Sequence, residues 1–180
     1  ISRKPKDNSS HSSHSWQKED TDSSVLISLS IIGQLGLLHK RFSDGILIPA
    51  AVWHEVVESA QGRSGATQVA AARWIEVVSI ADTDFVTMLQ ASLDTGEAEA
   101  IVLAREQNIS IVLLDEKDAR KVAKKLGLSV LGAVGILIWA KRAGIIANLR
   151  PQLDALQQQG GFRLSRALHL EALAAVGEHE

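Results

Sequence analysis

The sequence predicts an α/β fold built on a central parallel sheet, and two observations lead to that fold class. Short apolar runs alternate along the chain with helical segments, as in a parallel sheet that carries helices on both faces. The clearest run, Ser110–Leu114, is too short for a core helix and rich in branched residues, so we predict a strand buried on both faces. It ends on Asp115, and a helix with one apolar and one cationic face follows and stops at Gly127.

The amino-terminal part of the chain supplies one helix, one strand and a second helix. Ile1–Thr21 is rich in Ser, His and Lys, so we predict a largely disordered polar tail. Asp22 then caps an apolar helix over Val25–Leu38. Gly45–Pro49 is an apolar run stopped by proline, which predicts a strand that leads directly into a helix over Ala50–Ser59.

The middle of the chain predicts an edge strand between helices. Gly62–Gly65 is a glycine-containing loop, and Ala66–Ala72 is a short helix. Trp74–Ile80 alternates between apolar and polar residues, as an edge strand does. Two helices follow, over Asp84–Ala91 and Glu97–Gln107, the second starting with two carboxylates before its apolar face.

The remaining elements complete the alternation after the cationic helix. Ser129–Leu131 is a brief strand, and Val134–Ala143 is an apolar helix. Arg150–Gln158 and Ser165–Val176 are predicted helices packed outside the sheet, separated by a pair of glycines. Their apolar residues are a candidate surface for a homodimer or another protein.

Composition excludes several classes of protein. With 180 residues and 46% hydrophobic content, the chain can bury one core. A net charge of −2 excludes a broadly basic nucleic-acid binder but allows a local basic patch. The absence of cysteine excludes disulfides, a thiol nucleophile and a zinc–cysteine site. No apolar stretch follows the cationic first residues, and Val130–Ala140 is too short to span a bilayer, so we expect a cytoplasmic protein without a membrane segment.

Four carboxylates fall at the ends of predicted elements: Asp22, Glu55, Glu97 and Asp115. The carboxyl ends of parallel strands share one edge of a sheet, so acids distant in sequence can converge there. Converging carboxylates repel one another unless they are protonated or bind cations, and Mg²⁺ or Mn²⁺ prefers such oxygen ligands. These ions can activate a water for attack on a phosphodiester. Individually, each acid also has a purely structural interpretation, as a helix cap, a first-turn acid or a solvated residue.

The cationic helix face supplies a complementary hypothesis. It would hold a polyanion by its phosphates, with binding that weakens as salt rises and depends little on base sequence. Taken alone, such a face is more often a solvated surface. The candidate residues are Lys117, Arg120, Lys121 and Lys124, with Lys125 as a further candidate.

Five segments in order resemble the motifs of PIN-domain proteins, and the subgroup is similar to the toxin nucleases of toxin–antitoxin pairs. The resemblance covers Asp22–Gly177 and implies a three-layer α/β/α domain over residues 22–177. The segments are DSSVLISL (Asp22–Leu29), IPAAVWHEVV (Ile48–Val57), LDTGEAEAIVLA (Leu93–Ala104), LLDEKDARKVAKKLGL (Leu113–Leu128) and GAVGILIWAKRAG (Gly132–Gly144).

The resemblance implies an endoribonuclease that uses Mg²⁺ or Mn²⁺, with RNA as its substrate and an antitoxin protein as a candidate partner. Its catalytic and metal-binding acids would be Asp22, Glu55, Glu97 and Asp115. Glu97 is preferred to Glu99 because the family's third acid is usually followed by an alanine-spaced helix, and Glu99 and Asp118 are then candidates for the outer shell.

One segment departs from the family pattern. The family's first acid ends a buried apolar strand, whereas Ser15–Thr21 is polar almost throughout. A strand without apolar residues cannot contribute normal burial. Either the strand forms poorly and leaves Asp22 loosely held, another segment replaces it, or this amino terminus is not the family's native one. The alternative function is therefore a non-catalytic module, binding nucleic acid or protein, with a degenerate site.

Overall fold

The computed structural model describes residues 18–60 and 65–179, and its core is a five-stranded sheet. The strands are β1 (Glu19–Thr21), β2 (Ile46–Pro49), β3 (Ile75–Val78), β4 (Ile111–Leu113) and β5 (Ser129–Leu131). All neighbouring strands run parallel, in the order β3-β2-β1-β4-β5. The predicted α/β fold with a central parallel sheet is confirmed.

Helices cover both faces of this sheet and divide the apolar core into two clusters. Within the described ranges the helices are α1 (Ser23–Ile31), α2 (Gly36–Arg41), α3 (Ala50–Trp53), α4 (Ala66–Ala71), α5 (Thr83–Leu89), α6 (Thr95–Glu106), α7 (Lys117–Lys125), α8 (Ala133–Arg142), α9 (Arg150–Gln159) and α10 (Arg166–Ala174). The first cluster contains residues of α1–α4 and α8–α10, and the second contains residues of α5–α7.

Two predicted helices have a different form in the structure. The helix expected over Val25–Leu38 is divided into α1 and α2, and Gly33 adopts a left-handed φ of 71° between them. The helix expected over Ala50–Ser59 begins as α3 and continues as a π-helical turn, His54–Glu58. Most other predicted elements are present, with ends shifted by at most two residues. The predicted loop at Gly62–Gly65 lies mostly outside the described residues.

The central strand is the polar segment that the sequence placed outside the fold. The prediction of disorder through Thr21 is wrong for Glu19–Thr21, because these residues form β1. Asp20 pairs with Leu47 of β2 and with Val112 of β4. Backbone hydrogen bonds to both neighbours do not depend on side-chain type, so a polar segment can occupy this position. The rest of the predicted tail, residues 1–17, lies outside the described residues.

Asp20 is completely buried at the centre of the sheet. Its two pairing partners, Leu47 and Val112, belong to the apolar cluster packed against α5–α7. Neither carboxylate oxygen has a hydrogen-bond partner among the described residues. Burial raises the pKa of Asp20 well above its usual value, and the Thr21 amide offsets this only in part, while the negative charge of Asp22 adds to the increase. The native environment therefore favours the neutral form of this carboxyl group.

None of the helices in the described ranges has the length and apolar character needed to cross a bilayer.

Replacing Asp20 with valine should stabilise the protein. Asp20→Val removes an unpaired polar group from an apolar layer and introduces a residue suited to a strand. We expect the free energy of unfolding to rise by roughly 1–3 kcal/mol, measured by urea denaturation at pH 5. At pH 8 the gain should be larger, because the unfolded chain gains stability when its free aspartate ionises. Asp20→Asn is the matched variant, which removes the ionisable group but keeps a buried polar one. A loss of stability in Asp20→Val would contradict the prediction.

Candidate active site

Asp22 follows the central strand directly and is held firmly in place. Its Oδ1 accepts a hydrogen bond from the Val25 amide at 3.1 Å, which makes Asp22 the N-cap of α1 as predicted. The Ser24 hydroxyl donates to Oδ1 and Oδ2 at 2.9 and 3.0 Å. Burial raises the pKa of Asp22 to about 8, and the negative charges of Asp115 and Glu97 contribute to this shift. The three acids therefore lie within electrostatic range of one another around Asp22.

Asp115 follows the neighbouring strand, β4, and reaches across to another helix. Its Oδ1 accepts a hydrogen bond of 2.9 Å from the Ala133 amide, in the first turn of α8. Its Oδ2 is buried and has no hydrogen-bond partner among the described residues. Burial raises the pKa of Asp115 to about 6, against the lowering effects of the Ala133 amide and the Arg120 charge. The interpretation of Asp115 as the N-cap of its own helix is wrong, because Glu116 occupies that position in α7.

Gly132 leaves the space that the Asp115 side chain occupies. A Cβ at position 132 would lie 2.5 Å from Asp115 Oδ1 and 2.8 Å from Arg120 Nη1. The Arg120 guanidinium is itself fixed by a hydrogen bond of 3.0 Å from Nη1 to the Leu114 carbonyl. A side chain at position 132 would thus displace either the acid or the guanidinium.

Glu97 lies in the first turn of α6 and is 8% exposed. It forms a capping box with Asp94: Glu97 Oε2 accepts from the Asp94 amide at 3.1 Å, and Asp94 Oδ1 accepts from the Glu97 amide at 2.8 Å. Burial raises the pKa of Glu97, and the charges of Asp94, Glu116 and Asp118 add to the increase. Asp118 is exposed in the first turn of α7 and contributes negative charge near Glu97.

Glu99 and Glu55 lie beside the starts of two helices. Glu99 Oε2 accepts from the Ala51 amide at 3.1 Å, so its carboxylate stabilises the start of α3. Glu55 is an exposed residue of the π-helical turn, and its Oε2 lies 3.6 Å from where a Cβ on Gly96 would be, next to Glu97 in the first turn of α6. The charges of Asp115 and Glu97 act on Asp22, and the position of Glu55 leaves it a candidate beside Glu97.

A cleft of about 660 Å³ opens next to Asp115. Part of its lining is apolar and comes from β5, α8 and the region of α10, including Leu131, Ile138, Phe162 and Leu168. The rest is cationic and comes from α7. Four of the basic residues predicted from the sequence to bind substrate line the cleft, namely Lys117, Arg120, Lys121 and Lys124, whereas Lys125 does not.

The acids at this edge of the sheet meet only some of the requirements of a site for a divalent cation. Among residues 18–60 and 65–179, no three His, Asp or Glu side chains are arranged to hold a metal ion as they stand. Mg²⁺ is nevertheless commonly bound by one or two carboxylates together with waters and substrate phosphates. Asp22 and Asp115 match this requirement, since both have raised pKa values, Asp22 is buried, and the buried Oδ2 of the partly buried Asp115 is unpaired among the described residues. A cation would compensate the charge that burial disfavours.

Sequence reasoning missed two residues that shape this site. Asp94 could have been found, because its spacing from Glu97 is that of a capping box. Gly132 could not have been singled out locally, because the atoms it accommodates belong to Asp115 and Arg120, on other elements of the fold.

Comparison with protein families finds one match over most of the chain. A family model described as a PIN domain matches residues 21–178. A comparison with curated proteins finds no significant match.

The metal-free protein should lose stability as pH rises. The native pKa values of Asp22 and Asp115, about 8 and about 6, lie above the value near 3.9 expected in the unfolded chain. Between these limits the native state binds more protons at these two sites, so their contribution to the free energy of unfolding falls from about pH 4 and levels off above about pH 8.

Urea denaturation in EDTA at several pH values measures this decline. Asp22→Asn should make it shallower, because the substituted residue no longer titrates, whereas Asp44→Asn, at an exposed turn, should leave it unchanged. A free energy of unfolding that is constant or increases over this pH range would contradict the raised pKa values of Asp22 and Asp115.

Proposed function

The chain belongs to the PIN-domain family, and from this premise we propose that it is a metal-dependent endoribonuclease that hydrolyses RNA phosphodiesters. PIN domains have a nuclease-type fold and generally use divalent metals. Membership of this family also supports nucleic-acid binding. The observation that carries the proposal is the pair of acids at the ends of neighbouring parallel strands, the buried Asp22 and the partly buried Asp115. This is where open α/β sheets bind their ligands.

The proposed roles follow from the environment of each acid. Asp22 and Asp115 would hold Mg²⁺ or Mn²⁺, because their buried carboxylates are compensated best by a cation. Glu97 adds negative charge beside them while its Oε2 maintains the start of α6. When bound, the ion supplies a water of lowered pKa and stabilises the charge that develops on the phosphate. Glu55 remains a predicted fourth ligand, and Glu99 and Asp118 remain outer-shell candidates.

The cationic side of the cleft provides the surface for the substrate. Lys117, Arg120, Lys121 and Lys124 line it together with Asp115. Contacts from these residues to phosphates would fix the RNA beside the acids without selecting a base sequence. Such binding weakens as the salt concentration rises.

The toxin role, an antitoxin partner, a homodimer and a cytoplasmic location remain predictions from the sequence. The C-terminal helices offer some support for a protein partner, since Leu168 and Leu170 of α10 are 38% and 37% exposed. The alternative function is a non-catalytic binding module, which would require a poorly formed first strand that leaves Asp22 loosely held. The paired β1 strand and the hydrogen bonds to Asp22 favour the enzyme.

Cleavage of a mixed RNA pool by the purified chain tests the proposal. We expect cleavage with Mn²⁺ that EDTA abolishes, and a decrease of at least about 100-fold in Asp22→Asn and Asp115→Asn. Both variants remove a ligand charge and also serve as controls for contaminating nuclease. Absence of cleavage by a folded protein would favour the non-catalytic module.

Thermal denaturation provides an independent measurement of the metal site. At about 100 times its Kd, Mn²⁺ should raise the Tm of the wild-type protein by about 5–10 °C. The same addition should have little effect on Asp115→Asn. An equal increase in both proteins would indicate that the cation binds elsewhere.

Glu97 and Glu99 form a matched pair that tests the choice of the third acid. In each case glutamine retains an oxygen that can accept the existing hydrogen bond, from Asp94 or from Ala51. We expect Glu97→Gln to reduce the Mn²⁺-dependent cleavage rate by roughly 10- to 100-fold, and Glu99→Gln to retain most of it. Equal Tm values for the two variants in EDTA would exclude a difference in folding. A larger loss of activity in Glu99→Gln would reverse the assignment.

A further inference from the structure

We propose that residues 161–170 form a lid over the apolar side of the cleft, and that this lid opens while the carboxyl-terminal end of α10 stays fixed to α8 and α9. The lid consists of the segment that joins α9 to α10 and the first half of α10. The inference goes beyond the proposed function, and its test does not depend on the cleavage of RNA.

The lid buries few side chains. Leu164, at 7% exposure, is the buried residue among residues 161–170, while Phe162 and His169 are partly buried and the others are exposed. Leu168, which lines the cleft, is 38% exposed. Because little apolar surface would be uncovered, opening of this segment costs less free energy than opening of the core.

Polar contacts with α9 hold the lid closed. The Leu164 carbonyl accepts a hydrogen bond of 3.1 Å from Gln157 Nε2. His169 Nε2 lies 3.4 Å from Asp154 Oδ1, which is longer than an ordinary hydrogen bond, and the Asp154 side chain is 45% exposed. Water competes for an exposed pair of this kind, so it adds little to the stability of the closed lid. These contacts can therefore break and form again in the native protein.

The second half of α10 is attached much more firmly. Ala172 and Leu173 are each 1% exposed and belong to the first apolar cluster. Arg142, at the end of α8, donates from Nε and Nη2 to the Ala175 carbonyl at 3.3 and 2.9 Å. This end of α10 is thus fixed to α8 by both apolar and polar contacts.

Glu178 ties the segment after α10 to two other helices. Its Oε1 and Oε2 accept hydrogen bonds of 2.8 and 3.0 Å from the amides of Leu149 and Arg150, at the start of α9. Lys141 Nζ, from α8, lies 3.2 Å from Oε1. The Leu149 amide is the main reason why the pKa of Glu178 lies below its usual value. Hydrogen bonds to a charged carboxylate are stronger than neutral ones, so Glu178 is an anchor for this end of the chain.

Glycines lie where the lid joins α9. Gly160 is the C-cap of α9, and Gly161 has a φ of 61°. Glycine adopts this left-handed conformation and many others at no steric cost. The chain can therefore change direction here as the lid moves, while α10 tilts about its anchored end.

Opening of the lid would move one wall of the cleft and leave the others in place. Phe162 and Leu168 belong to the lid, whereas Leu131 and Ile138 come from β5 and α8, and the cationic wall comes from α7. The volume of about 660 Å³ describes the closed form. A ligand can enter the wider, open form and be enclosed when the lid closes.

Thiol labelling of the full chain tests this proposal. The sequence contains no cysteine, so an introduced cysteine is the sole thiol. Leu164→Cys reports on the lid and Leu173→Cys on the anchored end, and each replaces a buried leucine. We expect N-ethylmaleimide to label Leu164→Cys at least about tenfold faster than Leu173→Cys. Ala140→Cys, at a position of 0% exposure in α8, gives the rate set by opening of the core.

Gln157 and its neighbour Gln158 provide a matched pair of further substitutions. Both are exposed residues of α9, and Gln157 donates to the lid, whereas Gln158 makes no hydrogen bond to it among the described residues. In the Leu164→Cys protein, Gln157→Ala should raise the labelling rate roughly two- to tenfold, and Gln158→Ala should leave it unchanged. Neither should affect Leu173→Cys.

The anchor requires a separate variant. Glu178→Ala should raise the labelling rate of Leu173→Cys at least about tenfold, because it removes charged hydrogen bonds from this end of α10. Glu171→Ala, which removes an exposed acid of α10, is the control and should have no effect. Thermal denaturation checks that each variant is folded, and Ala172→Cys replaces Leu173→Cys if the latter unfolds.

Equal labelling rates for Leu164→Cys and Leu173→Cys would overturn the proposal, because α10 would then stay closed or detach as a whole. Equal effects of Gln157→Ala and Gln158→Ala would also overturn it, since the bond to the Leu164 carbonyl would not hold the lid. An unchanged rate for Leu173→Cys in Glu178→Ala would show that Glu178 is not the anchor. These readouts are independent of metal and of RNA cleavage, so the lid and the proposed enzyme can fail separately.

Discussion

The pairing of β1 with a strand on each side is the constraint on which the rest of the structure depends. Its backbone pairs with β2 and β4, and the Asp22 amide extends this pairing with a hydrogen bond of 3.0 Å to the Leu113 carbonyl. These bonds satisfy main-chain groups that would otherwise be buried without partners. They also bring the end of β1 beside the end of β4, so that Asp22 and Asp115 come from neighbouring strands.

This arrangement brings acidic groups into the protein interior at the expense of stability. Asp20, Asp22 and Asp115 all have raised pKa values, and burial is the largest cause for each. The hydrogen bonds to Asp22 and Asp115 reduce the penalty, while Asp20 has no such bond among the described residues. A protein under selection for stability alone would place apolar residues at such positions. Asp22 and Asp115, the two acids that accept hydrogen bonds, therefore have the properties of a functional site.

The long-range contacts of Asp115 connect the acids to the substrate surface. Its carboxylate reaches the start of α8, in space that Gly132 leaves open, and it also lines the cleft. The cleft is completed by Phe162 and Leu168, which lie far away in sequence. The C-terminal helices are thus part of the proposed binding site as well as of the core.

The sequence by itself determined the parallel α/β fold, the order of most helices and strands, and the capping role of Asp22, because periodicity and capping act over a few residues. The position of Glu97 at the start of a helix and the cationic face of α7 could be predicted for the same reason, because they also depend on patterns over a few residues. Only the tertiary structure decided that polar Glu19–Thr21 forms the central strand, that Glu99 stabilises α3, and that the Glu55 carboxylate lies beside the first turn of α6. These outcomes depend on backbone pairing and on side chains distant in sequence, and no local pattern encodes them.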